Sequence, residues 1–181
     1  MAEHGIEDYS FAKRKAAARF GMTETSPLPT NSEVDSALAE YQRLFAAPDH
    51  RQTLNAQRLC AVEAMRLLQR FNPKLVGPIL NGSATPHQTI TLHLFSDSVE
   101  AVSIELIDRK VPYRLTEQQI KMSRERQQRC PVVCFSCFEF SIEAIVFPTD
   151  GDRQAPLSAI DGRPMRRGTL SEVIKLLGPH V

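Results

Sequence analysis

Hydrophobic positions along the chain change their period near residue 73. Before it they recur at helical spacing, and after it they alternate or run together as strands do. Val34, Ala37, Leu38, Tyr41, Leu44 and Phe45 keep an i, i+3, i+4, i+7 pattern, which predicts a helix with Asn31 or Ser32 at its cap. After a break at Ala47-Pro48, Leu54, Arg58, Ala61, Val62, Met65 and Leu68 trace a second stripe, which Asn72-Pro73 ends. So short a connection predicts an antiparallel helical pair. Upstream, residues 6–20 form at best a weakly amphipathic helix, and 21–30 have the Thr-, Ser- and Pro-rich composition of a linker.

The second half reads as sheet. Residues 75–80 and 89–95 predict strands, the latter with Ile90, Leu92 and Leu94 on one face. Asp97-Ser98-Val99-Glu100 predicts a capped start for a helix through Val102, Leu106 and Ile107 that stops before Pro112. Residues 113–122 suit an exposed strand, and 132–138 with 140–147 a hairpin rich in Val, Ile and Phe. A turn-rich tail follows from 151 to 167, Asp161-Gly162 being its clearest turn. Thr169-Leu170-Ser171-Glu172 is a capping box for a last helix that Gly178-Pro179 stops. The order α-α-β-β-α-β-β-α predicts an α+β fold, a mixed β-sheet with an N-terminal helical pair and a C-terminal helix. The expected organisation is a peripheral segment, 1–30, and one domain, 31–181. That domain divides into a helical pair (31–72), a sheet core (73–150) and a C-terminal loop and helix (151–181).

Composition narrows the functional classes. The 181 residues, 42% hydrophobic, suffice for one ordinary core. Twenty-two Lys and Arg balance twenty-one Asp and Glu, for a net charge of +1. That balance gives no general field for nucleic acid or a membrane surface, and neither is expected as a partner. The start lacks a basic-then-apolar leader, and no run approaches the roughly 18 apolar residues of a membrane span. Four cysteines in a chain this size fit reduced thiols better than a disulfide framework, so a cytoplasmic location is expected.

Three features then form a constellation: the turn Gly82-Ser83, the strand beginning Thr89-Ile90-Thr91-Leu92-His93, and the later strand Ile142-Glu143-Ala144. In that order they resemble the catalytic core of the polymerase-beta-like nucleotidyltransferases. The resemblance spans residues 75–148 and implies a mixed-sheet nucleotidyltransferase-like core. It places the family's Asp-x-Asp pair on Thr89 and Thr91, and its third carboxylate on Glu143. Two-metal nucleotidyl transfer needs carboxylate oxygens around ions roughly 4 Å apart. Residues i and i+2 of a strand share a face, hence the Asp-x-Asp spacing. Threonine hydroxyls supply no charge to such ions, and one glutamate does not hold two. The resemblance therefore implies a degenerate member, expected to carry no catalytic residue set and no bound metal. Leu92-His93-Leu94-Phe95 and the tail Asp161-Gly162-Arg163-Pro164-Met165-Arg166-Arg167 also resemble a group of short bacterial proteins of this type.

The resemblance assigns Gly82 and Ser83 to phosphate contact through a nest of backbone amides. Asn81 and Thr85 stand beside them. His93, on the threonine face, and Arg166 and Arg167 in the tail are further candidates for nucleotide contact, Arg being suited to phosphate. Arg163 and a second basic group, Lys121, Arg124, Arg126 and Arg129, fit a solvated surface better. His87 is the other histidine near the turn. Cys130, Cys134 and Cys137 have C-x3-C-x2-C spacing, as in radical SAM iron–sulfur proteins. On a strand, however, Cys134 and Cys137 face opposite sides, and buried apolar thiols are the better reading. No G-x-x-x-x-G-K-[ST] loop and no nucleophile triad is present.

Three functions follow as expectations. The first is a catalytically degenerate nucleotidyltransferase-like domain that binds a nucleoside triphosphate or a protein partner in a regulatory role. The second is a working enzyme that uses Mg and takes ligands from Asp97, Glu100 or Glu139. The third is a purely structural partner-binding protein, acting through residues 6–20 or the face of 140–147.

Overall fold

The computed structural model describes residues 9–21, 27–45, 48–123, 125–158 and 160–178. Residues 6–8, residues 22–26 of the 21–30 linker, Ala47, Arg124 and Pro179 lie outside them. The fold is α+β. Three helices lead the chain: α1 (Tyr9–Arg19), α2 (Asn31–Phe45) and α3 (Pro48–Leu67). A short strand β1 (Lys74–Val76) and a one-turn helix α4 (Pro78–Asn81) come next. Then follow β2 (Ile90–Phe95), α5 (Val99–Asp108), β3 (Tyr113–Lys121), β4 (Gln127–Cys137), β5 (Phe140–Phe147) and α6 (Leu170–Leu177). The strand order is β1-β2-β5-β4-β3. β2 and β5 run parallel, and the other neighbours are antiparallel.

Local chemistry explains the departures from the sequence-based elements. The run 75–80 is not one strand, because Gly77 takes φ 78° and Pro78 starts a helix. Proline has no N–H to give a strand ladder but is preorganised for the first helical position. α2 is capped by Thr30, not by Asn31 or Ser32. The Thr30 hydroxyl accepts from the Glu33 amide while the Glu33 carboxylate receives the Thr30 amide at 2.7 Å. Ser98 caps α5 by accepting from the Ala101 amide. Asp97 is free of that task and instead receives the Thr149 amide and hydroxyl. The expected capping box of α6 is present at Thr169 and Glu172. Residues of α2 and α3 line the two sides of a cleft.

The two sheet faces are covered differently. One carries the main core, in which Leu75, Ile90, Leu92, Leu94, Val133, Ile142, Ala144 and Val146 pack with Met65 and Leu68 of α3, Val102 and Leu106 of α5 and Val173 of α6. The other carries a smaller cluster, Phe95, Met122, Cys130, Val132, Ile145 and Phe147. Among the described residues, the backbone of a strap, 149–158 and 160–168, is tied to the sheet at two points. Leu157 donates its amide to the Lys121 carbonyl, and Gly168 pairs with Leu75 through two 2.8 Å hydrogen bonds. A Cβ on Gly168 would stand 2.5 Å from Leu80 Cδ1, so the close approach there suits glycine. No helix among the described residues is long and apolar enough to cross a membrane.

Candidate functional site

The geometry starts from register. Thr91 on β2 is the Cα partner of Glu143 on β5, which is in turn paired with Cys134 on β4, itself paired with Arg114 on β3. Residues paired across a sheet point to the same face, so these four form a polar row on the face away from the main core. Thr91 and Glu143 are both half-buried, and Arg114 is exposed. Burial and the Glu143 carboxylate push the Cys134 thiol upward, and Arg114 pulls the other way. Thr89 immediately precedes β2 and lines a cleft of about 540 Å³ with Gln52, His87, Gln88, Glu139 and Ser141.

The other carboxylates stand elsewhere. Asp97 lies six residues past Thr91, about 20 Å further along the strand direction. Its hydrogen bonds from Thr149 hold it below the usual carboxylate range. Glu100 is bonded to the Ser98 hydroxyl at the start of α5. Glu139 sits in the turn before β5, four residues from Glu143, about 13 Å along the chain if extended. Neither Asp97 nor Glu100 converges with Glu143. Among the described residues no group of three His, Cys, Asp or Glu is arranged to hold a metal.

The Gly-Ser turn is directed into the fold. Gly82, at φ 88°, ends α4, and both its amide and that of Ser83 donate to the Pro78 carbonyl, at 2.8 and 3.0 Å. The Ser83 hydroxyl donates to Asp35 Oδ1 of α2 at 2.9 Å, and Ser83 is buried. The donors that a phosphate nest needs are therefore engaged within the protein. Side chains of two helices hold the rest of this loop. Gln42 of α2 donates to the Ala84 carbonyl at 3.5 Å. Gln57 of α3 donates to the Thr85 and Pro86 carbonyls, and Arg58 Nε to the Ile79 carbonyl. Buried carbonyls outside regular structure need such donors.

His93 is on the threonine face but only 1% exposed, beneath the strap. Arg167 Nε donates to His93 Nδ1 at 3.1 Å, and its Nη1 donates to the Gly151 and Asp152 carbonyls. The Arg167 guanidinium also lies 5.0 Å from the Phe95 ring centre and 5.4 Å from that of Phe147. Burial, aided by the Arg167 charge, pulls the His93 imidazole down to about 3. A neutral ring is the form that accepts from arginine. Arg163 and Arg166 are exposed on the strap. Arg129, on the hairpin of β3 and β4, lies five residues from Cys134 and so about 17 Å from the Glu143 row.

The cysteines divide between faces, with Cys130 and Cys134 on the strap side and Cys137 toward the main core. Buried Cys60 donates its Sγ–H to the Cys137 carbonyl at 3.0 Å, and burial raises its pKa far above the ordinary thiol range. Sequence reasoning missed Arg114, Asp35, Gln57 and the part Arg58 plays. Arg114 was within reach once the register of the β3–β4 hairpin was known. The contacts of Asp35, Gln57 and Arg58 join residues 21 to 118 positions apart and leave no local pattern.

No family model matches the chain, and no curated protein matches it. Among solved structures, the chain is similar to a cytoplasmic RNA terminal U-transferase, with a TM-score of 0.32 and 17% sequence identity. That similarity covers 63% of this chain and 34% of the enzyme, so the chain spans about a third of its length.

Proposed function

We propose that this chain is a catalytically degenerate nucleotidyltransferase-like domain, one that works by binding and not by transferring nucleotides. One observation carries the reading: Thr91 stands in register against Glu143, at the place where the resembling family pairs carboxylates on adjacent strands. The connectivity supports it, since a Gly-Ser turn, a strand, a helix and a long excursion precede the strand of Glu143, which returns parallel beside β2. Two hydroxyls and one carboxylate at Thr89, Thr91 and Glu143 suit hydrogen bonding to a neutral or cationic partner group. They lack the charge to offset two divalent ions and a triphosphate. The active-enzyme alternative needs Asp97, Glu100 or Glu139 beside Glu143, and neither the spacing along β2 nor the turn position of Glu139 four residues before Glu143 favours it.

The test is incorporation of labelled ATP, GTP, CTP and UTP into RNA and protein acceptors with Mg or Mn, in wild type and Glu143→Ala. The expected result is no metal-dependent incorporation. Incorporation that disappears in Glu143→Ala overturns the reading. A companion measurement restores the missing charges. Thr89→Asp/Thr91→Asp should acquire Mn binding, visible as loss of the free-ion electron paramagnetic resonance signal, where wild type shows none.

A further inference from the structure

The fold sorts the four free cysteines by face and by neighbour. Cys130 and Cys134 lie on the strap side of β4, whereas Cys137 packs against the main core, where Cys60 of α3 is buried. Cys60 and Cys137 stand 77 positions apart in sequence, yet the Cys60 Sγ–H reaches the Cys137 carbonyl. The two thiols also act on one another directly. Burial is the first cause of the raised Cys60 pKa, and the Cys137 thiol is the next, through its charge and a hydrogen bond. Neither Cys130 nor Cys134 contributes there.

The pair is unequal in access. Cys137 is the last residue of β4 and is half-buried. Phe138, which follows it, is 79% exposed at φ 53°, so this end of the strand opens to solvent. A small oxidant therefore reaches Cys137 first, and Cys60 only through it. The pair also stands behind the cleft of about 540 Å³ beside Thr89. One wall of that cleft is Gln52, Thr53 and Ala56 of α3, and Ala56 precedes Cys60 by one helical turn on the same side. The other wall is Glu139, Phe140 and Ser141, which begins two residues after Cys137.

We propose that Cys60 and Cys137 form a redox-modification site, a thiol pair that a hydroperoxide converts into an intrachain disulfide stapling the two walls of this cleft. In the first step the Cys137 sulfur attacks a peroxide oxygen. An S–O bond forms, the O–O bond breaks, and the remainder of the peroxide leaves as water or an alcohol with the thiol proton. The Cys60 sulfur then attacks the Cys137 sulfur. The S–S bond forms, the S–O bond breaks, and the sulfenic hydroxyl leaves as water with the Cys60 proton. Each sulfur is oxidised by one electron, and the peroxide is reduced by two. Because burial keeps Cys60 protonated, the second step is the slow one and quickens as pH rises. The chemistry depends on α3 and β4 alone, whatever the sheet face binds.

The experiment treats the reduced full chain with hydrogen peroxide at neutral and at mildly alkaline pH. Remaining thiols are alkylated after unfolding, and peptides are mapped without reductant. The expected product is a chain about 2 Da lighter, with one linkage, Cys60 to Cys137, formed faster at the higher pH. Cys130 and Cys134 should be recovered alkylated. Cys60→Ala removes the second thiol and should stop at the Cys137 sulfenic acid, which dimedone captures. Cys134→Ser keeps both partners and should give the linkage in wild-type yield, so the pairing is tested even if Cys60→Ala does not fold. In the oxidised wild type, amide exchange at residues 52–56 and 139–141 should slow by about tenfold or more and recover with dithiothreitol. Four alkylated thiols after peroxide, a linkage through Cys130 or Cys134, or unchanged exchange at both walls in the oxidised chain overturns the proposal.

Discussion

One face of β2 meets two fates. At its N-terminal end Thr89 and Thr91 are partly open, and at its C-terminal end His93 and Phe95 are buried. The neighbouring strand repeats the contrast, Glu143 half-buried and Ser141 exposed against buried Ile145 and Phe147. Hydrogen bonding does not distinguish the two ends, since the β2–β5 ladder runs in register from Ile90↔Ile142 to Phe95↔Phe147. The covering does. The strap crosses the C-terminal half and brings Arg167 down on His93, while the N-terminal half keeps its polar row. A sheet face can thus be scaffold at one end and surface for recognition at the other, with side chains alternating identically throughout.

Breaking the covered half should have the largest effect. Phe147→Ala removes a ring packed against both His93 and Phe95 and should cost about 3–5 kcal/mol of unfolding free energy in urea titrations. Arg167→Met keeps much of the side-chain bulk but deletes the donors to His93, Gly151 and Asp152. It should cost about 1–3 kcal/mol, with faster amide exchange along 149–168.

His93 sharpens the contrast through pH. Its folded pKa of about 3 lies below the ordinary 6.5, so the unfolded chain binds the extra proton first as pH falls. The stability tied to its neutral form is complete above pH 6.5 and is lost progressively from there toward pH 3. Compared with His93→Gln, wild type should lose on the order of 1 kcal/mol more per pH unit within that window, measured by chemical unfolding at stepped pH. The smallest effect belongs to the open half: Thr91→Val should shift stability by no more than about 0.5 kcal/mol. A Thr91→Val cost as large as that of Phe147→Ala would erase the distinction between the two halves.

Much of the fold was legible because its signals are local. The alternation of Ile90, Leu92 and Leu94 gave the core face of β2, and the Thr169 to Glu172 spacing gave the start of α6. The β4–β5 hairpin followed from its run of Val, Ile and Phe. Where two local signals competed, the stronger backbone constraint won: Gly77-Pro78 ended a strand that Leu75, Val76, Ile79 and Leu80 would otherwise have continued. The candidate site was legible in part. Thr91 and Glu143 meet in register as the resemblance implied, whereas the surroundings of Ser83 and His93 were not foreseeable. Asp35 takes the Ser83 hydroxyl across 48 residues, and Arg167 reaches His93 across 74. Such pairings depend on where the strap and α2 come to rest, and no window of sequence contains both partners.

The paired amides and carbonyls of Leu75 and Gly168 also bear on the order of assembly. Strand β1 is the outermost strand on its side, and the residue that closes its outer edge belongs to the last stretch of the sheet domain to be synthesised. Until that stretch arrives, β1 offers unsatisfied backbone groups of the kind that recruit other chains. Contacts so remote in sequence also form slowly. The return of Gly168 is then more than a fastening for α6. It caps an adhesive edge, and a nascent or truncated chain that has not reached it is the form most prone to associate with its own copies.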